Sequence, residues 1–294
     1  MRILCPKFHP SSLFLRKVAH GCLWMLLLCA PLQGQNGTLQ VEVNLCGANP
    51  NGSDVAVNTS DNSVWTIDGT SGKICVFSSI SNPPNLALAN MIDHPVGAAM
   101  APLFQPQCSG LAYSESSNTF WILNSTSLEL IEMSPAGAAI GTPVPFTISG
   151  SASGLAHDSL SGTLWTRDTV NSQAIEIDPT SGAILSTIAI PGADFRYGTG
   201  LAFRSSATGL GYLDFTYGDA FDAGVQEVRS LAIGTGELQC SGIDFDGTNF
   251  NSLLGICYNA SQSSLLAVSS TSLVQVNATQ PAIYPPADLV CLAD

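Results

Sequence analysis

Residues 153–192 read SGLAHDSLSGTLWTRDTVNSQAIEIDPTSGAILSTIAIPG and contain four short segments in which apolar and polar residues alternate. Turn-forming residues separate these segments, as in DSLSG after the first and DPTSG before the last. Alternation with a period of two is typical of β-strands, and clusters of Asp, Ser, Asn and Gly favour the tight turns of hairpins. The stretch therefore predicts one sheet of four short strands.

Weaker copies of this unit recur along the chain. Alignment on the apolar residue that follows the small residue of the first strand brings together Val55, Leu111, Leu155, Leu201 and Ile256. Ten residues beyond each of these lies the middle of a second strand, at Trp65, Trp121, Trp165, Gly211 and Leu266. The copies begin 56, 44, 46 and 55 residues apart, within or just beyond the spacing of four-stranded propeller blades.

The recurrence of this unit, with no helical stripe of useful length, predicts an all-β protein: a β-propeller of five four-stranded blades. The fifth copy shows only three strands, whereas residues 39–45 alternate in the same way and precede the first copy. Propellers commonly close their ring by lending a strand from one terminus to the blade at the other. We expect residues 39–45 to complete the fifth blade. A sixth blade built from residues 288–293 and 38–46 is the alternative.

Residues 1–34 differ in kind from the rest of the chain. Four basic residues, an apolar run at residues 21–29 and a plausible cleavage region at residues 30–34 form the pattern of a signal peptide. A lipoprotein signal is disfavoured, because Leu28 before Cys29 is larger than the residue usual at that position. The sequence thus predicts one propeller domain at residues 35–294, secreted or periplasmic, without stable membrane insertion after cleavage.

The net charge narrows the range of partners. The leader holds four of the nine basic residues and none of the 22 acidic ones, so the mature chain keeps five basic and 22 acidic residues, a net charge of −17. Nucleic acids and anionic lipids require basic patches, which excludes them as partners. An acidic surface suits cations, and it also keeps an exported protein soluble.

Six cysteines remain after the leader: Cys46, Cys75, Cys108, Cys240, Cys257 and Cys291. An even number in an exported chain predicts disulfides, although sequence alone leaves many pairings open. A bond between Cys46 and Cys291 would lock the closure of the ring. The remaining cysteines that are near in sequence would pair Cys75 with Cys108 and Cys240 with Cys257.

At GLAHD (residues 154–158), at Leu164-Trp165 and at AIEIDPTSG (residues 174–182) the chain resembles NHL-like and lactonase-like propeller repeats. The resemblance is at the level of the repeat and covers nearly the whole mature chain. It implies a propeller fold, and the enzymes of this kind hold a divalent metal over the central channel with acidic and amide side chains. That ligand set has no residue-by-residue match in this chain.

Polar residues end the second strand of four copies, at Asp68, Asn124, Asp168 and Asp214. A ring of such groups around an axial opening would bind a cation, and hard oxygen ligands suit calcium. The segment Asp244-x-Asp246-Gly247-x-Asn249 also resembles the start of a calcium loop, without its downstream Glu. The alternative for both is structural, because Asp and Asn at strand ends accept hydrogen bonds from the following turn.

The longest irregular segments of the predicted propeller lie on one face, because the loops between second and third strands and the connections between blades open on the same side. Such loop-rich faces are the usual place for a ligand site. The candidate ligand-binding residues there are Asp194, Arg196, Tyr197, Asp214, Tyr217, Asp219 and Asp222. An Arg beside a Tyr could grip a carboxylate or the face of a sugar.

No catalytic residue is predicted. Two histidines remain in the mature chain, His94 and His157, and neither GxSxG nor HExxH occurs. His157 takes the position of Tyr113, Phe203 and Tyr258 in other copies, which favours a packing role. We therefore expect a secreted binding module that recognises a protein, a glycan or a small ligand through its loop-rich face. A calcium-dependent hydrolase and a structural module of an exported assembly are the alternatives.

Overall fold

The computed structural model describes residues 39–46, 52–68, 73–81, 84–93, 108–190, 200–206, 209–218, 226–244, 253–259, 264–269 and 271–277. Within these ranges the regular structure consists of β-strands in five four-stranded antiparallel sheets. Each sheet is one blade of a ring, which confirms the predicted five-bladed β-propeller. None of the described segments is a helix with the length and apolarity needed to cross a membrane.

The strands are numbered in chain order, and the strands of each blade are given from the axis outward. Blade 1 consists of β2 (Gly52–Asn58), β3 (Ser63–Asp68), β4 (Lys73–Ser81) and β5 (Pro84–Asp93). Blade 2 consists of β6 (Cys108–Ser114), β7 (Thr119–Asn124), β8 (Glu129–Met133) and β9 (Ala139–Pro145). Blade 3 consists of β10 (Ala152–His157), β11 (Leu164–Asp168), β12 (Gln173–Ile177) and β13 (Ile184–Ala189).

The last two blades follow the same plan. Blade 4 consists of β14 (Leu201–Ser205), β15 (Gly211–Gly218), β16 (Gln226–Ala232) and β17 (Leu238–Asp244). Blade 5 consists of β18 (Gly255–Asn259), β19 (Ser264–Val268), β20 (Ser272–Asn277) and β1 (Leu39–Asn44).

Strand β1 closes the ring as predicted. It pairs antiparallel with β20, with Glu42 opposite Val274, and so becomes the outermost strand of blade 5. Just beyond the strand, the N–H of Leu45 donates to the carbonyl of Thr271 at 2.9 Å. The first described strand of the chain is thus held by the last, and the sixth-blade alternative is wrong.

The hairpin between the first and second strands is set by residues that tolerate a left-handed backbone. Asn62 and Asn118 have φ values of 59° and 52°, and Gly162 and Gly209 take 76° and 80° in blades 3 and 4. Asn and Gly adopt this conformation at lower cost than other residues, which explains their presence at the end of each of these turns.

Blade 4 departs from the predicted alignment. Ala156 of β10 pairs with Trp165 of β11, nine residues later, but Ala202 of β14 pairs with Asp214 of β15, twelve residues later. The equivalent alanine and its partner are therefore three residues further apart in blade 4 than in blade 3, because the paired strands of blade 4 extend further, and the placement of Gly211 at the tryptophan position is wrong. Asp214 also lies within β15 and not at its end.

Five apolar clusters fill the spaces between neighbouring blades. Trp65 of blade 1 stacks on Phe120 of blade 2 with ring centroids 4.1 Å apart, and Trp165 of blade 3 packs with Phe215 of blade 4. Because side chains alternate between the two faces of a sheet, each blade packs against both of its neighbours. The core is thus a ring of interfaces, and each blade depends on the next.

A disulfide joins Cys46, which follows β1, to Cys75 in β4, with their Cα atoms 6.0 Å apart. The predicted pairs of Cys46 with Cys291 and of Cys75 with Cys108 are therefore wrong. Cys257 has a free thiol, so its predicted bond to Cys240 is wrong as well. Since β1 belongs to blade 5 and β4 to blade 1, Cys46 still fixes the closing strand, but through a different partner.

Replacement of both Cys46 and Cys75 by Ser should weaken the ring closure. The bond spans 29 residues, and the loop entropy it removes from the unfolded chain is worth roughly 3–4 kcal/mol. We expect the midpoint of thermal unfolding to fall by roughly 10 °C, measured by circular dichroism. Cys257→Ser is the control and should leave the midpoint almost unchanged; an equal fall in both variants would contradict a locking role.

Candidate functional site

The innermost strands of the five blades enclose an axial cavity of about 150 Å³. Its deep wall is apolar and carries one aliphatic side chain from each blade: Val55, Leu111, Leu155, Leu201 and Ile256. It opens toward the hairpins between first and second strands, where Thr59, Glu115 and Ser159 are exposed. The cavity therefore opens on the face opposite to the predicted loop-rich face.

At the closed end of the cavity, the innermost strands approach one another too closely for most side chains. The residue before the aliphatic position is Asp54 in blade 1 and glycine in the other four blades: Gly110, Gly154, Gly200 and Gly255. A Cβ atom at Gly255 would lie 2.5 Å from the Cα of Asp54, and one at Gly200 would lie 2.8 Å from the backbone N of Ile256. The strands meet at the axis because these positions lack a side chain.

Asp54 fills the space that the glycines leave. Its side chain is completely buried. Its Oδ2 accepts the N–H of Leu111 at 2.8 Å and the N–H of Leu155 at 3.3 Å, and its Oδ1 accepts the N–H of Val55 at 2.9 Å. One carboxyl group thus joins the innermost strands of blades 1, 2 and 3.

The donors that Asp54 binds belong to innermost strands, each of which pairs with a neighbouring strand on one side only. Strands β2, β6 and β10 also shift register against their second strand next to this position. A buried N–H on the unpaired edge of a strand needs another acceptor. Burial raises the pKa of Asp54 well above its ordinary range, although the three N–H groups oppose that shift.

Flat side chains surround the mouth of the cavity. The residue two positions after the aliphatic one is Val57 in blade 1 and a ring in the other four blades, and all five line the cavity. The four rings, here called the aromatic collar, are Tyr113, His157, Phe203 and Tyr258, each half-buried. The hydroxyl of Tyr113 donates to Oδ1 of Asn118 at 2.9 Å, which helps to fix the orientation of this ring.

Burial shifts the pKa values of two groups in the cavity wall toward their neutral forms. Burial lowers the pKa of His157 below its ordinary value, and the neighbouring Asp158 only partly offsets this effect. Burial also raises the pKa of the Cys257 thiol to about 12. Because the thiolate is the reactive form of cysteine, Cys257 is a poor nucleophile.

Two of the predicted metal ligands cap turns. Oδ1 of Asn124 accepts the N–H groups of Thr126 and Ser127 at 3.1 and 3.2 Å. Oδ1 of Asp168 accepts the N–H groups of Val170 and Asn171 at 3.0 and 3.1 Å. These contacts are the structural alternative that the sequence left open.

The carboxylate of Asp168 uses its remaining oxygen in the same way. Its Oδ2 accepts the side-chain amide of Asn171 at 2.7 Å, and its Oδ1 also receives the N–H of Ser151 at 3.3 Å. Burial raises the pKa of Asp168, but these hydrogen bonds outweigh burial and hold the pKa below its ordinary value. Little coordinating capacity is left for a cation.

Asp214 does not join the other strand-end residues. In β15 it forms a bidentate ion pair with Arg204 of β14, from Nε to Oδ2 at 2.9 Å and from Nη2 to Oδ1 at 3.2 Å. Ser230 of β16 donates to the same carboxylate. Among the described residues, no group of three or more His, Cys, Asp or Glu side chains could hold a metal, so Asp68, Asp168 and Asp214 do not form such a cluster.

The other predicted site residues lie mostly beyond what the structure describes. Asp194, Arg196, Tyr197, Asp219, Asp222 and Asp246 fall outside the described residues. Tyr217 and Asp244 lie in β15 and β17, respectively, and only their backbone is described. The ligand-binding role of these residues stays a prediction.

Sequence reasoning missed the two features that define the cavity. The close approach at the inner end of the cavity is visible at the repeat position before the aliphatic residue, which is Asp54 in blade 1 and glycine in the other four blades. The aromatic residues at the mouth of the cavity are visible in the repeat alignment, where His157 takes the same position as Tyr113, Phe203 and Tyr258. The sequence alone favours a packing role for this position.

Replacement of Gly255 by Ala tests the close approach at the axis. The added Cβ would overlap the backbone of Asp54, and overpacking of this kind costs about 1–3 kcal/mol or more. Chemical denaturation should show this loss of stability. The control is Gly234→Ala, because a Cβ there meets no atom within 4 Å; the same loss in both variants would contradict a steric requirement at the axis.

Replacement of Asp54 by Asn tests the raised pKa. Above the unfolded-state pKa of about 3.9, the folded protein retains a proton on Asp54 that the unfolded chain loses. This contribution to the free energy of unfolding therefore falls as the pH rises toward the folded-state pKa. Asn has no such titration.

Denaturation of both proteins at several pH values between 4 and 9 isolates this effect. The stability of the Asn variant relative to the natural protein should rise with pH across this window, while the contributions of other groups cancel in the difference. A difference that does not change with pH would show that Asp54 titrates normally.

No family model and no curated protein matches this chain. Among solved structures, glutaminyl cyclase from Myxococcus xanthus is similar with a TM-score of 0.56 and 13% identity, over 82% of this chain and 95% of the cyclase chain. Streptogramin B lyase is similar with a TM-score of 0.43 and 14% identity, over 79% of this chain and 67% of the lyase chain. Both are β-propellers. At 13% identity, the match to the cyclase shows that this chain has the same fold and shows nothing about its function.

Proposed function

We propose that this protein is an exported, non-catalytic binding module that takes a small ligand into its axial cavity. The observation that carries the proposal is the aromatic collar, in which four blades place a ring at the same repeat position around one opening. Half-buried rings at the mouth of an apolar cavity present large contact area at low entropic cost, as in many ligand sites. This places the proposed site on the face opposite to the loops that the sequence favoured.

The size of the cavity favours a small ligand or a small group of a larger one. Pockets for drug-sized molecules usually measure about 300–1,000 Å³, whereas the axial cavity measures about 150 Å³. The glycine positions and Asp54 close its inner end. A ligand would therefore enter from the collar and be held by the side chains of the first strands.

The chemistry of the wall favours binding over catalysis. The thiol of Cys257 is held protonated by burial, with a pKa of about 12, and His157 is held neutral. A nucleophilic mechanism needs a side chain that is activated by a neighbouring base. The described groups of the wall offer a protonated thiol and an imidazole without a paired nucleophile.

Two features support export. The first 34 residues have the pattern of a signal peptide, and Cys46 and Cys75 form a disulfide. Disulfides of this kind persist in oxidising compartments outside the cytosol. The repeat-level resemblance to NHL-like and lactonase-like blades is compatible with a binding role, because blades of this kind serve both binding proteins and enzymes.

Replacement of Ser159 by Trp should cover the mouth of the cavity. Ser159 is exposed and lines the opening, so the larger side chain can be accommodated without disturbing the core. Saturation-transfer NMR against a mixture of monosaccharides, amino acids and organic ammonium ions should find ligands of the natural protein. Their affinity for the Trp variant should fall roughly tenfold or more.

The matched control is Thr180→Trp, which adds the same side chain to an exposed outer hairpin of the same blade. It should bind the same ligands with unchanged affinity. Ligands that bind the Ser159 variant equally well would move the site elsewhere, and the absence of any ligand in the mixture would overturn the proposed function.

A further inference from the structure

The described wall of the axial cavity carries acidic, aromatic and aliphatic side chains and one histidine, His157, which burial favours in its neutral form. Among its described lining residues there is no Lys or Arg, and Glu115 stands exposed at the mouth. Three benzene-type rings of the aromatic collar, Tyr113, Phe203 and Tyr258, line the opening and also pack against the inter-blade clusters. The faces of such rings are negative and attract cations.

The sequence shows the same charge pattern in the hairpins that join first to second strands and third to fourth strands, which lie on the side where the cavity opens. The hairpins between first and second strands, at residues 59–62, 115–118, 158–163, 206–210 and 260–263, contain no Lys or Arg in the sequence. The hairpins between third and fourth strands at residues 134–138, 178–183 and 233–237 also contain none. Acidic residues occur in both sets, at Asp61, Glu115, Asp158, Asp178 and Glu237.

None of the described basic residues of the mature chain lines the cavity, although Arg204 lies close enough to Tyr258 of the collar to interact with it electrostatically. Lys73 begins β4 at the opposite face, where it pairs with Asp93. Arg167 is buried between blades, and its Nη1 donates to the carbonyls of Gly200 and Thr216 at 3.3 and 3.2 Å. Arg204 is neutralised by Asp214. With a mature net charge of −17, the field at the mouth favours a cation.

The apolar wall selects among cations. A primary ammonium carries three N–H donors that need acceptors, and burial without them costs free energy. The described wall beneath the collar offers mainly Val, Leu, Ile and Ala side chains, and the N–H groups of Leu111 and Leu155 are already bound by Asp54. A quaternary ammonium has no N–H donor, and its methyl groups suit an aliphatic wall.

We propose that the axial cavity binds a small quaternary ammonium ion of the choline type, with its methyl groups directed inward and its charge at the level of the aromatic collar. The inference rests on the proposed function, since it names the ligand class of the same site. Sugars fit this wall less well, because their hydroxyl groups would lose hydrogen bonds to water without replacement. Zwitterionic relatives such as glycine betaine should bind more weakly, because Glu115 repels their carboxylate.

Isothermal titration calorimetry of the full mature protein with choline tests whether the positive charge of the ligand contributes to binding. The matched probe is 3,3-dimethylbutan-1-ol, which has the shape of choline with a neutral carbon in place of the nitrogen. Choline should bind saturably and at least about tenfold more tightly than the neutral alcohol, since cation–π attraction in a desolvated cage is worth about 1–2 kcal/mol.

Two pairs of variants test the residues. Tyr113→Leu removes one collar ring and should weaken choline binding about tenfold, whereas Tyr113→Phe keeps the ring and should bind as the natural protein does. Both lose the same hydrogen bond to Asn118. Glu115→Gln should weaken binding about threefold, and Glu129→Gln, which changes the net charge equally on the same blade without lining the cavity, should not. Glu115 is exposed, so this variant is expected to fold.

The outcomes separate the two proposals. Equal affinity for choline and the neutral alcohol, or tighter binding of a monosaccharide, would overturn the ammonium inference and leave the cavity as a ligand site. If neither Tyr113→Leu nor Glu115→Gln changes the affinity for choline, the cation binds elsewhere and the inference is overturned. If no probe of any class binds at the cavity, both proposals fail together.

Discussion

The close approach of five innermost strands at the axis is the constraint on which the rest of the structure depends. Five blades leave a narrow centre, and at the level of Asp54 it admits backbone but almost no side chain: a Cβ at Gly255 or Gly200 would lie within 3 Å of a neighbouring strand's backbone. This contact brings the blades to the distance at which the inter-blade clusters, such as Trp65 on Phe120, can pack. It also narrows the axis at this level, next to the described cavity that the aliphatic side chains line.

Asp54 shows why one side chain is retained at this level. The innermost strands β2, β6 and β10 each pair on one side only, and a buried donor on the other edge without an acceptor costs about 1–3 kcal/mol. A single carboxyl accepts three of these donors. The full cost of burying a charge is avoided, because the raised pKa favours the protonated acid. The group therefore acts as an acceptor that ties three blades together, which a fifth glycine could not do.

The blades and the closing strand could be predicted from the sequence, because each rests on local alternation and on turn residues such as Asn62 and Asn118. The register of blade 4 could not be predicted from an even spacing between copies. The register is set by the pairing of buried residues such as Phe215, and this pairing does not depend on a constant number of residues between the strands. The partner of Cys46 was missed for a related reason: closure brings β1 beside blade 1, a proximity that exists only in the ring. The roles of Asn124 and Asp168 were open, because a turn cap and a metal ligand require the same side chains.

The repeat also explains how a site arises from residues that look like packing. A position that recurs in every blade points to the axis five times, so a ring at that position in four blades becomes a collar without any special loop. Val57 breaks the collar in blade 1, the blade that also carries Asp54 in place of glycine. Blade 1 thus differs from the other blades at two repeat positions: Val57 breaks the symmetry at the mouth of the cavity, and Asp54 breaks it at the inner end. Glu115 adds a single charge on the neighbouring blade, so a ligand with one charged end has one preferred orientation within an otherwise near-symmetric ring.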